Sequence, residues 1–267
     1  MSVWQEFTSR LEVSASLVCE TGLRVGAGGE TSVPTASDLP ILRTPGGDPY
    51  IPGSSLRGVV RVHVERIVRA MEPVGQRRGA CNPLVLDPAK DSEFHSCITA
   101  DDMSKQRDEA REKPDRDARL AAYVWDHSCR VCSIFGSAWL ASRVRFSDLP
   151  CVGGGRIEVR DGVSIHRDKE TVENKYDFEA VPAGTRFALS VSAENLDEME
   201  RGLLWLGLRE LQGGRVSVGG FKGRGLGSVS LAEVSLRLVD GRDRAALRSF
   251  VLRGEMSAVG SEDADHW

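Results

Sequence analysis

The sequence has no apolar run that approaches the roughly 20 residues of a membrane-spanning helix, so a transmembrane span is not expected. Its start, Met-Ser-Val-Trp-Gln-Glu-Phe, lacks the basic beginning and the apolar centre of a secretory signal peptide. Also absent are a Ser-His-Asp pattern, a His-Glu-x-x-His zinc-protease motif, a Gly-x-x-x-x-Gly-Lys-Ser/Thr loop and any tandem repeat. We therefore expect a cytoplasmic protein without a membrane partner, whose six cysteines are thiols or metal ligands rather than disulfides.

The net charge is −4, which taken alone argues against a nucleic-acid-binding protein. The acidity is local, because residues 87–117 carry ten acidic against six basic side chains and residues 255–267 carry four acidic side chains and no Lys or Arg. Without these two segments, each at −4, the rest of the chain has a charge of +4. Residues 53–78 alone hold six arginines against Glu65 and Glu72. The distribution leaves a basic region for an anionic partner.

Residues 49–58 read Pro-Tyr-Ile-Pro-Gly-Ser-Ser-Leu-Arg-Gly and predict the start of a helix. Gly53 frees the backbone, and Ser54 and Ser55 lie where a helix leaves its first amides unpaired. With Arg57 in the first turn, these groups form a receptor for a phosphate. A simple serine-capped helix is an equally good interpretation of this segment alone.

A second distinctive segment is the glycine-rich loop over residues 213–227, in which seven of fifteen residues are glycine. Such a backbone can pass close to a ligand. Arg215, Lys222 and Arg224 add positive charge, and Phe221 offers an aromatic face for stacking. Basic, glycine-rich and aromatic character together favour a sugar-phosphate backbone over a single nucleotide.

Hydrophobic periodicity predicts six successive elements. They are a strand over 11–19, a helix over 54–70, short strands over 143–146 and 187–191, a helix that starts at an Asn195-x-x-Glu198 capping box and runs to Leu211, and a strand over 229–238. A slip in the alternation near Ala232 predicts a bulge in the last strand. The order strand, helix, strand, strand, helix, strand is that of the split βαβ plan, so we expect an α+β, ferredoxin-like (RRM-like) core.

Two insertions and a tail accompany this core within one expected domain, residues 1–238. Residues 79–135 are highly charged and hold four of the six cysteines. Residues 156–185 read as two β-like arms around a polar tip, which predicts a projecting hairpin. Residues 239–267 are charged and contain glycine, so we expect a partly disordered tail.

The cysteines of the first insertion are spaced as metal ligands. His127, Cys129 and Cys132 lie within six residues, and a Cys-x-x-Cys turn directs two thiolates at one ion. The preferred ligands for a structural Zn²⁺ are Cys81, His127, Cys129 and Cys132, with Cys97 as the substitute for His127. Reduced cysteines beside a core helix, or a redox pair, are the alternatives. Zinc is favoured because a charged insertion without a core needs a cross-link.

Three motifs occur in a diagnostic order: Pro-Tyr-Ile-Pro-Gly-Ser-Ser-Leu-Arg-Gly, then Cys-x-x-Cys-x-Ile-Phe-Gly-Ser, then the glycine-rich loop. This order resembles the RAMP (repeat-associated mysterious protein) superfamily over about residues 10–238, and within it the backbone subunits of type III CRISPR effector complexes. The resemblance implies a zinc knuckle at the cysteines and a hairpin thumb over 156–185. The residues expected to contact RNA are Gly53, Ser54, Ser55, Arg57, Arg61, Arg215, Phe221, Lys222, Gly223 and Arg224.

The resemblance also implies a catalytic residue. In Val33-Pro-Thr-Ala-Ser-Asp38-Leu-Pro-Ile-Leu-Arg43, Asp38 matches the family's Asp-x-Pro followed by two apolar residues and a base. In active members this aspartate is required for metal-dependent cleavage of target RNA, which implies Mg²⁺ or Mn²⁺, cations that prefer oxygen ligands. The residues alone favour a turn cap before Pro40 instead. Asp48, in Gly-Gly-Asp-Pro, is interpreted as a turn residue.

The functional prediction is therefore a subunit that coats a CRISPR guide RNA and cuts the complementary target RNA at regular intervals. Its expected partners are the guide, the target, neighbouring copies of itself or related RAMP subunits, and other effector subunits of the antiviral complex. A catalytically inactive backbone subunit is the first alternative. A small-molecule enzyme on a ferredoxin-like fold is the second, because folds of this kind host many functions.

Overall fold

The computed structural model describes residues 6–28, 37–90, 94–166, 168 and 171–267. The strands are β1 (Ser9–Cys19), β2 (Tyr50–Ile51), β3 (Val144–Phe146), β4 (Leu149–Pro150), β5 (Glu158–Ile165), β6 (Val172–Ala180), β7 (Arg186–Glu194), β8 (Val229–Asp240) and β9 (Ser257–Val259). The helices are α1 (Gly53–Met71), α2 (Ala100–Glu109), α3 (Arg116–His127), α4 (Arg130–Phe135), α5 (Glu198–Gln212), α6 (Arg244–Arg253) and α7 (Ser261–Ala264), with a 3₁₀ turn over Lys222–Arg224. Within the described residues, no helix has the length and apolar character needed to cross a membrane.

The central sheet is antiparallel, with the strand order β3-β7-β1-β8-β9. Its middle strand is β1, where Val13 lies opposite Val191 of β7 on one side and Leu236 of β8 on the other. Helix α1 follows β1, and α5 connects β7 to β8. The chain is thus mixed α+β, and its topology is compatible with the predicted ferredoxin-like plan.

Helices α1 and α5 pack closely within one main hydrophobic core. Leu56, Val60 and Val64 return on one face of α1 and are fully buried. At Gly207 of α5, an added Cβ would lie 2.8 Å from side-chain carbons of both Val60 and Val64. The close approach of the two helices therefore requires glycine at position 207.

The predicted bulge in the last strand is present. The register between β1 and β8 shifts between Ser14, which pairs with Ser235, and Ser16, which pairs with Ala232. Glu233 has a left-handed φ of 56° at this point. The one extra residue of β8 is accommodated there.

The helix cap before α5 lies two residues later than the predicted Asn195-x-x-Glu198 box. Asp197 accepts a hydrogen bond from the Glu200 amide at 2.8 Å, and Glu200 accepts one from the Asp197 amide at 3.0 Å. Asn195 instead accepts from the Thr8 amide at 2.8 Å, which ties the start of β1 to this turn. Both sites satisfy the residue preferences of a cap, and the tertiary contact decides between them.

The first insertion has a small apolar cluster of its own. Ile98, Met103 of α2 and Val124 of α3 are buried together. At the end of the insertion, Ile134 and Phe135 of α4 belong to the main core. The insertion is therefore anchored to the domain through α4.

The tail that the sequence predicts to be partly disordered forms α6, β9 and α7 instead. Strand β9 extends the sheet, because Val259 pairs with Leu236 of β8. Ala264 of α7 is buried, and the Trp205 indole of α5 donates to Asp265 at 2.8 Å. A few apolar contacts with α5 and the sheet thus order a segment whose composition is polar.

Candidate nucleic-acid interface and metal centre

The start of α1 and the glycine-rich loop, far apart in sequence, meet at one cavity of about 570 Å³. Ser54, Ser55 and Arg66 of α1 line it, together with Arg215 and Lys222 of the loop. Lys222 and Arg66 are exposed. The Arg215 guanidinium is paired with Glu210 at 2.9 and 2.6 Å. Two hydroxyls and the cations of Arg66 and Lys222 suit a phosphate-bearing ligand.

The predicted role of Gly53 in phosphate binding does not fit the structure. The Gly53 amide donates to the Asp148 carboxylate at 2.8 Å, so this N–H already has an acceptor within the protein. An added Cβ at Gly53 would lie 2.3 Å from the Phe146 carbonyl oxygen. Gly53 is therefore required for packing against the segment after β3, and the groups that the cavity offers to a phosphate are the serine hydroxyls and the cations.

Arg57 and Arg61, which were expected to contact RNA, do not line this cavity. The Arg57 guanidinium donates to the Phe135 carbonyl. Arg61 donates to the Gly136 carbonyl at 2.7 Å and to Glu65 at 2.7 Å. Both arginines therefore hold the end of α4 against α1.

Arg66 is one of the six arginines of residues 53–78, and it is the α1 arginine that lines the cavity. Its signal is helical spacing, because Ser55, Val59, Val62 and Arg66 return on one face of a helix. Counting arginines identified a basic segment but not the face that it presents.

A second cavity has a volume of about 780 Å³ and is lined in part by Phe221 and Arg224 of the glycine-rich loop. Its lining comes from the loop at Asp38, from β6 and from the glycine-rich loop. The lining residues are Asp38, Leu39, Asn174, Lys175, Tyr176, Phe221 and Arg224. Gly223 lies between Lys222 and Arg224 in the chain. It is exposed, and a Cβ added there would meet no atom within 4 Å. The structure thus brings the predicted catalytic aspartate to the glycine-rich loop.

Phe221 is not a free stacking face. Its ring packs edge-on against Phe178, with the centroids 4.9 Å apart. The guanidinium carbons of Arg24 and Arg224 lie 5.0 and 4.5 Å from its centroid. Phe221 therefore holds two cations beside the cavity by cation–π contact. Arg24 had no sequence signal, because the backbone around Gly219 brings it there.

Asp38 is exposed and is fastened to β6 rather than to a turn before Pro40. Its Oδ2 accepts from the Asp177 amide at 3.0 Å, and its own amide donates to Asp177 Oδ1 at 2.7 Å. The Ser37 hydroxyl also donates to Asp177 Oδ1 at 2.7 Å. These bonds from Ser37 and Asp38 hold the pKa of Asp177 below its usual value. The preceding residues of this loop, Val33 to Ala36, lie outside the described part of the chain.

The structure also brings four cysteines together. The Sγ atoms of Cys81, Cys97, Cys129 and Cys132 all lie within 4.8 Å of one another, and those of Cys81 and Cys132 are 3.4 Å apart. Amides point at sulfur as in a zinc knuckle, since the Cys129 amide donates to Cys97 Sγ at 3.3 Å. Four clustered thiols are a donor set that fits tetrahedral zinc.

The four clustered side chains include Cys97, the predicted substitute, and not His127, the preferred fourth ligand. His127 Nδ1 bonds the Tyr123 carbonyl at 2.9 Å, and its ring stacks on Tyr123 at a centroid distance of 4.0 Å. It lies at the end of α3, whereas the chain before α2 carries Cys97 to the other three thiols.

Positive charge supports the cysteine cluster. Arg61 donates to Cys132 Sγ at 3.4 Å, and Arg69 donates to the Cys81 carbonyl at 2.7 Å. The hydrogen bonds among the thiols lower the pKa of Cys129 and raise the pKa values of Cys81 and Cys132, so the cluster favours a thiolate at Cys129. Four protein thiols would leave no open coordination position on a tetrahedral ion, so the arrangement is compatible with a structural metal centre.

Comparison with known proteins places these features in a family. The sequence matches the RAMP superfamily over residues 16–230. A curated relative, the CRISPR system Cms endoribonuclease Csm3 of Enterococcus italicus, is 43% identical over 54 residues, which are 20% of this chain and 25% of that protein. The chain thus matches only about a quarter of that relative's length. Because the superfamily match covers most of the chain, including α1, the cysteine turn and the glycine-rich loop, the chain belongs to the RAMP superfamily.

Proposed function

We propose that this protein is a backbone subunit of a type III CRISPR ribonucleoprotein, which binds the guide RNA and cleaves the complementary target RNA. The observation that carries the proposal is the shared glycine-rich loop. Lys222 faces the cavity at α1, whereas Phe221 and Arg224 face the cavity that contains Asp38. Cations from separate segments suit an extended polyanion better than a small ligand, which favours RNA binding over the small-molecule alternative.

In this proposal Asp38 assists attack by the 2′-hydroxyl of the target on the adjacent phosphate. The attack forms a 2′,3′-cyclic phosphate and breaks the bond to the 5′-oxygen of the next nucleotide, which takes up a proton from water. Stacked A-form geometry prevents in-line attack, so the target must be kinked at the cut. Asp38 is exposed, and it can accept the proton of the hydroxyl within hydrogen-bond reach. Arg224 and Lys175 line the same cavity, and their charge would stabilise the phosphate as negative charge develops.

The catalytic Mg²⁺ or Mn²⁺ is not supported by a built site. Among the described residues, a single group of three or more potential ligands is close enough to hold an ion, and that group is the cysteine cluster. Among the described residues that line its cavity, Asp38 is the one carboxylate, and Asp177 is hydrogen-bonded to it. A divalent ion at Asp38 would need oxygen ligands from the RNA, and it would supply charge neutralisation. Metal dependence therefore remains a prediction.

The proposed activity is tested on the ribonucleoprotein assembled with a known guide. Complementary RNA, RNA with a scrambled guide-complementary region, and DNA of the same sequence are each incubated with it. We expect regularly spaced cuts in the complementary RNA alone, because DNA lacks the attacking hydroxyl. Binding of complementary RNA without cutting would favour the inactive backbone subunit. Cutting that ignores complementarity would contradict both.

Lys222→Ala and Arg66→Ala are each expected to weaken RNA binding for all guide sequences, because these side chains would read phosphates. Each variant should flatten the salt dependence of the binding constant by roughly 0.7 on single strands. Arg57→Ala is the matched control, since its guanidinium contacts the Phe135 carbonyl, and its salt slope should equal the parent's. Equal slopes in all four proteins would remove this cavity from the interface.

The β5–β6 hairpin is proposed to act as the thumb that separates bases and reaches over the next subunit. Val159, Val163 and Val172 are 60%, 50% and 62% exposed, and apolar side chains of this kind can enter a base step. Replacing residues 166–171 by a two-residue turn should preserve folding and disturb the spacing of the cuts. Cuts are mapped at nucleotide resolution, and unchanged spacing at the parent rate would count against the thumb. The replacement ends at residue 171 and so removes only part of the predicted tip, Lys169–Lys175, because Lys175 lines the cavity with Asp38. Residues 169 and 170 lie outside the described chain.

A further inference from the structure

We infer that Asp177 is a positioning residue for Asp38 and so couples the hairpin to the cleavage site; this inference rests on the proposed function. The two residues are 139 positions apart in the sequence and exchange two hydrogen bonds. Asp177 Oδ1 accepts from the Asp38 amide, and the Asp177 amide donates to Asp38 Oδ2. Each residue thus fixes the backbone of the other, and one bond acts directly on the proposed catalytic carboxylate.

The link continues along β6 beyond Asp177. Glu179 accepts from the Ile41 amide at 3.0 Å and pairs with Arg43 at 2.6 Å. The Glu179 amide donates to the Leu39 carbonyl at 3.1 Å. The loop that carries Asp38 is therefore attached to the strand by alternate β6 side chains, of which Asp177 is the one that contacts Asp38.

This attachment matters because the Asp38 side chain is exposed, so burial does not restrict its rotamer. With Oδ2 held by the Asp177 amide, the carboxylate is fixed relative to β6. Among the described residues Oδ1 has no hydrogen-bond partner, so this oxygen is available to a substrate. A displacement of about 1 Å in a catalytic group can cost about 100-fold in rate. Strand β6 is one arm of the hairpin. A movement of the hairpin, which would kink the target RNA, would therefore also move Asp38.

Three substitutions separate positioning from charge. Asp177→Asn keeps Oδ1, the atom that accepts both bonds, and removes the negative charge. Asp177→Glu keeps the charge and displaces the carboxylate by one methylene group. Asp177→Ala removes both. If Asp177 positions Asp38, the asparagine variant is active and the glutamate variant is impaired.

The experiment measures single-turnover cleavage in the assembled ribonucleoprotein at saturating target, together with target affinity and the Mg²⁺ concentration at half-maximal rate. We expect Asp177→Ala and Asp177→Glu to cut roughly 10- to 100-fold more slowly, and Asp177→Asn to stay within about threefold of the parent. Guide content, target affinity and the Mg²⁺ midpoint should not change. Asp48→Ala is the control, because Asp48 is an exposed aspartate that does not line the cavity with Asp38, and it should cut at the parent rate.

The outcomes distinguish the inference from the proposed function. Parent-rate cutting by Asp177→Ala and Asp177→Glu, with Asp38→Ala inert, overturns the role of Asp177 alone. Parent-rate cutting by Asp38→Ala overturns the catalytic role of Asp38 and the inference together, whereas the absence of cutting by the parent assembly overturns the proposed cleavage itself. An inert Asp177→Asn with a raised Mg²⁺ midpoint would show that Asp177 binds the ion and does not act through Asp38.

Discussion

Asp38→Ala is expected to give a ribonucleoprotein that holds its guide and binds its target but does not cut it. The cleavage rate should fall at least about 100-fold, equivalent to about 3 kcal/mol of transition-state stabilisation. RNA affinity should be retained, because the negative charge of Asp38 repels RNA and the proposed binding comes from cationic side chains. Single-turnover cleavage and filter binding on the same preparation measure the two properties.

Two controls make this result specific to the carboxylate. Asp48→Ala removes an exposed aspartate from the following turn, and it should cut at the parent rate. A target with a single 2′-deoxy nucleotide at one cut should resist cutting there and be cut normally elsewhere. A chelator should reproduce the Asp38→Ala result in the parent if the divalent ion is required. If Asp38→Ala cuts at the parent rate, the catalytic group lies elsewhere.

Cys129→Ser and Cys132→Ser are expected to have the largest effect on stability. The parent should hold close to one zinc ion per chain, and each variant should lose it. Structural zinc contributes about 10–16 kcal/mol in small zinc domains, so the loss of one ligand should remove several kcal/mol and lower Tm by roughly 10 °C or more. Metal analysis of chelator-free protein and thermal unfolding measure these effects.

The identity of the fourth ligand gives this prediction its sharpest form. Cys97→Ser should also lose zinc, whereas His127→Ala should keep it, because the His127 ring is engaged with Tyr123. Cys151→Ser is the control for a half-buried cysteine outside the cluster, and it should keep both zinc and Tm. Parent protein isolated without zinc would end this interpretation, and zinc lost from His127→Ala but not from Cys97→Ser would reverse the ligand assignment.

The elements of the core could be predicted because their signals are local. The alternation from Leu11 to Cys19 and the fully buried row of Leu56, Val60 and Val64 fix the burial of β1 and α1. The slip near Ala232 located the bulge for the same reason. What periodicity could not supply was the docking of insertions, which depends on contacts between distant segments.

The candidate site shows this limit most clearly. The arginines of α1 mark a basic segment, but Arg57 and Arg61 face α4, and only a knowledge of where the insertion packs could separate them from Arg66. Cys97 and His127 have equally suitable chemistry, and the path of the chain before α2 decides between them. Asp177 carries no sequence signal at all, because its partner Asp38 is 139 residues away.

Sequencing the nucleic acid that copurifies with the protein from its native cells is the most direct test of the proposed function. We predict RNA of defined length, in which a constant repeat-derived segment is followed by variable spacers. Such a population would identify a CRISPR guide as the ligand of this protein. RNA of random sequence, or no RNA at all, would contradict the assignment of this chain as a guide-binding backbone subunit.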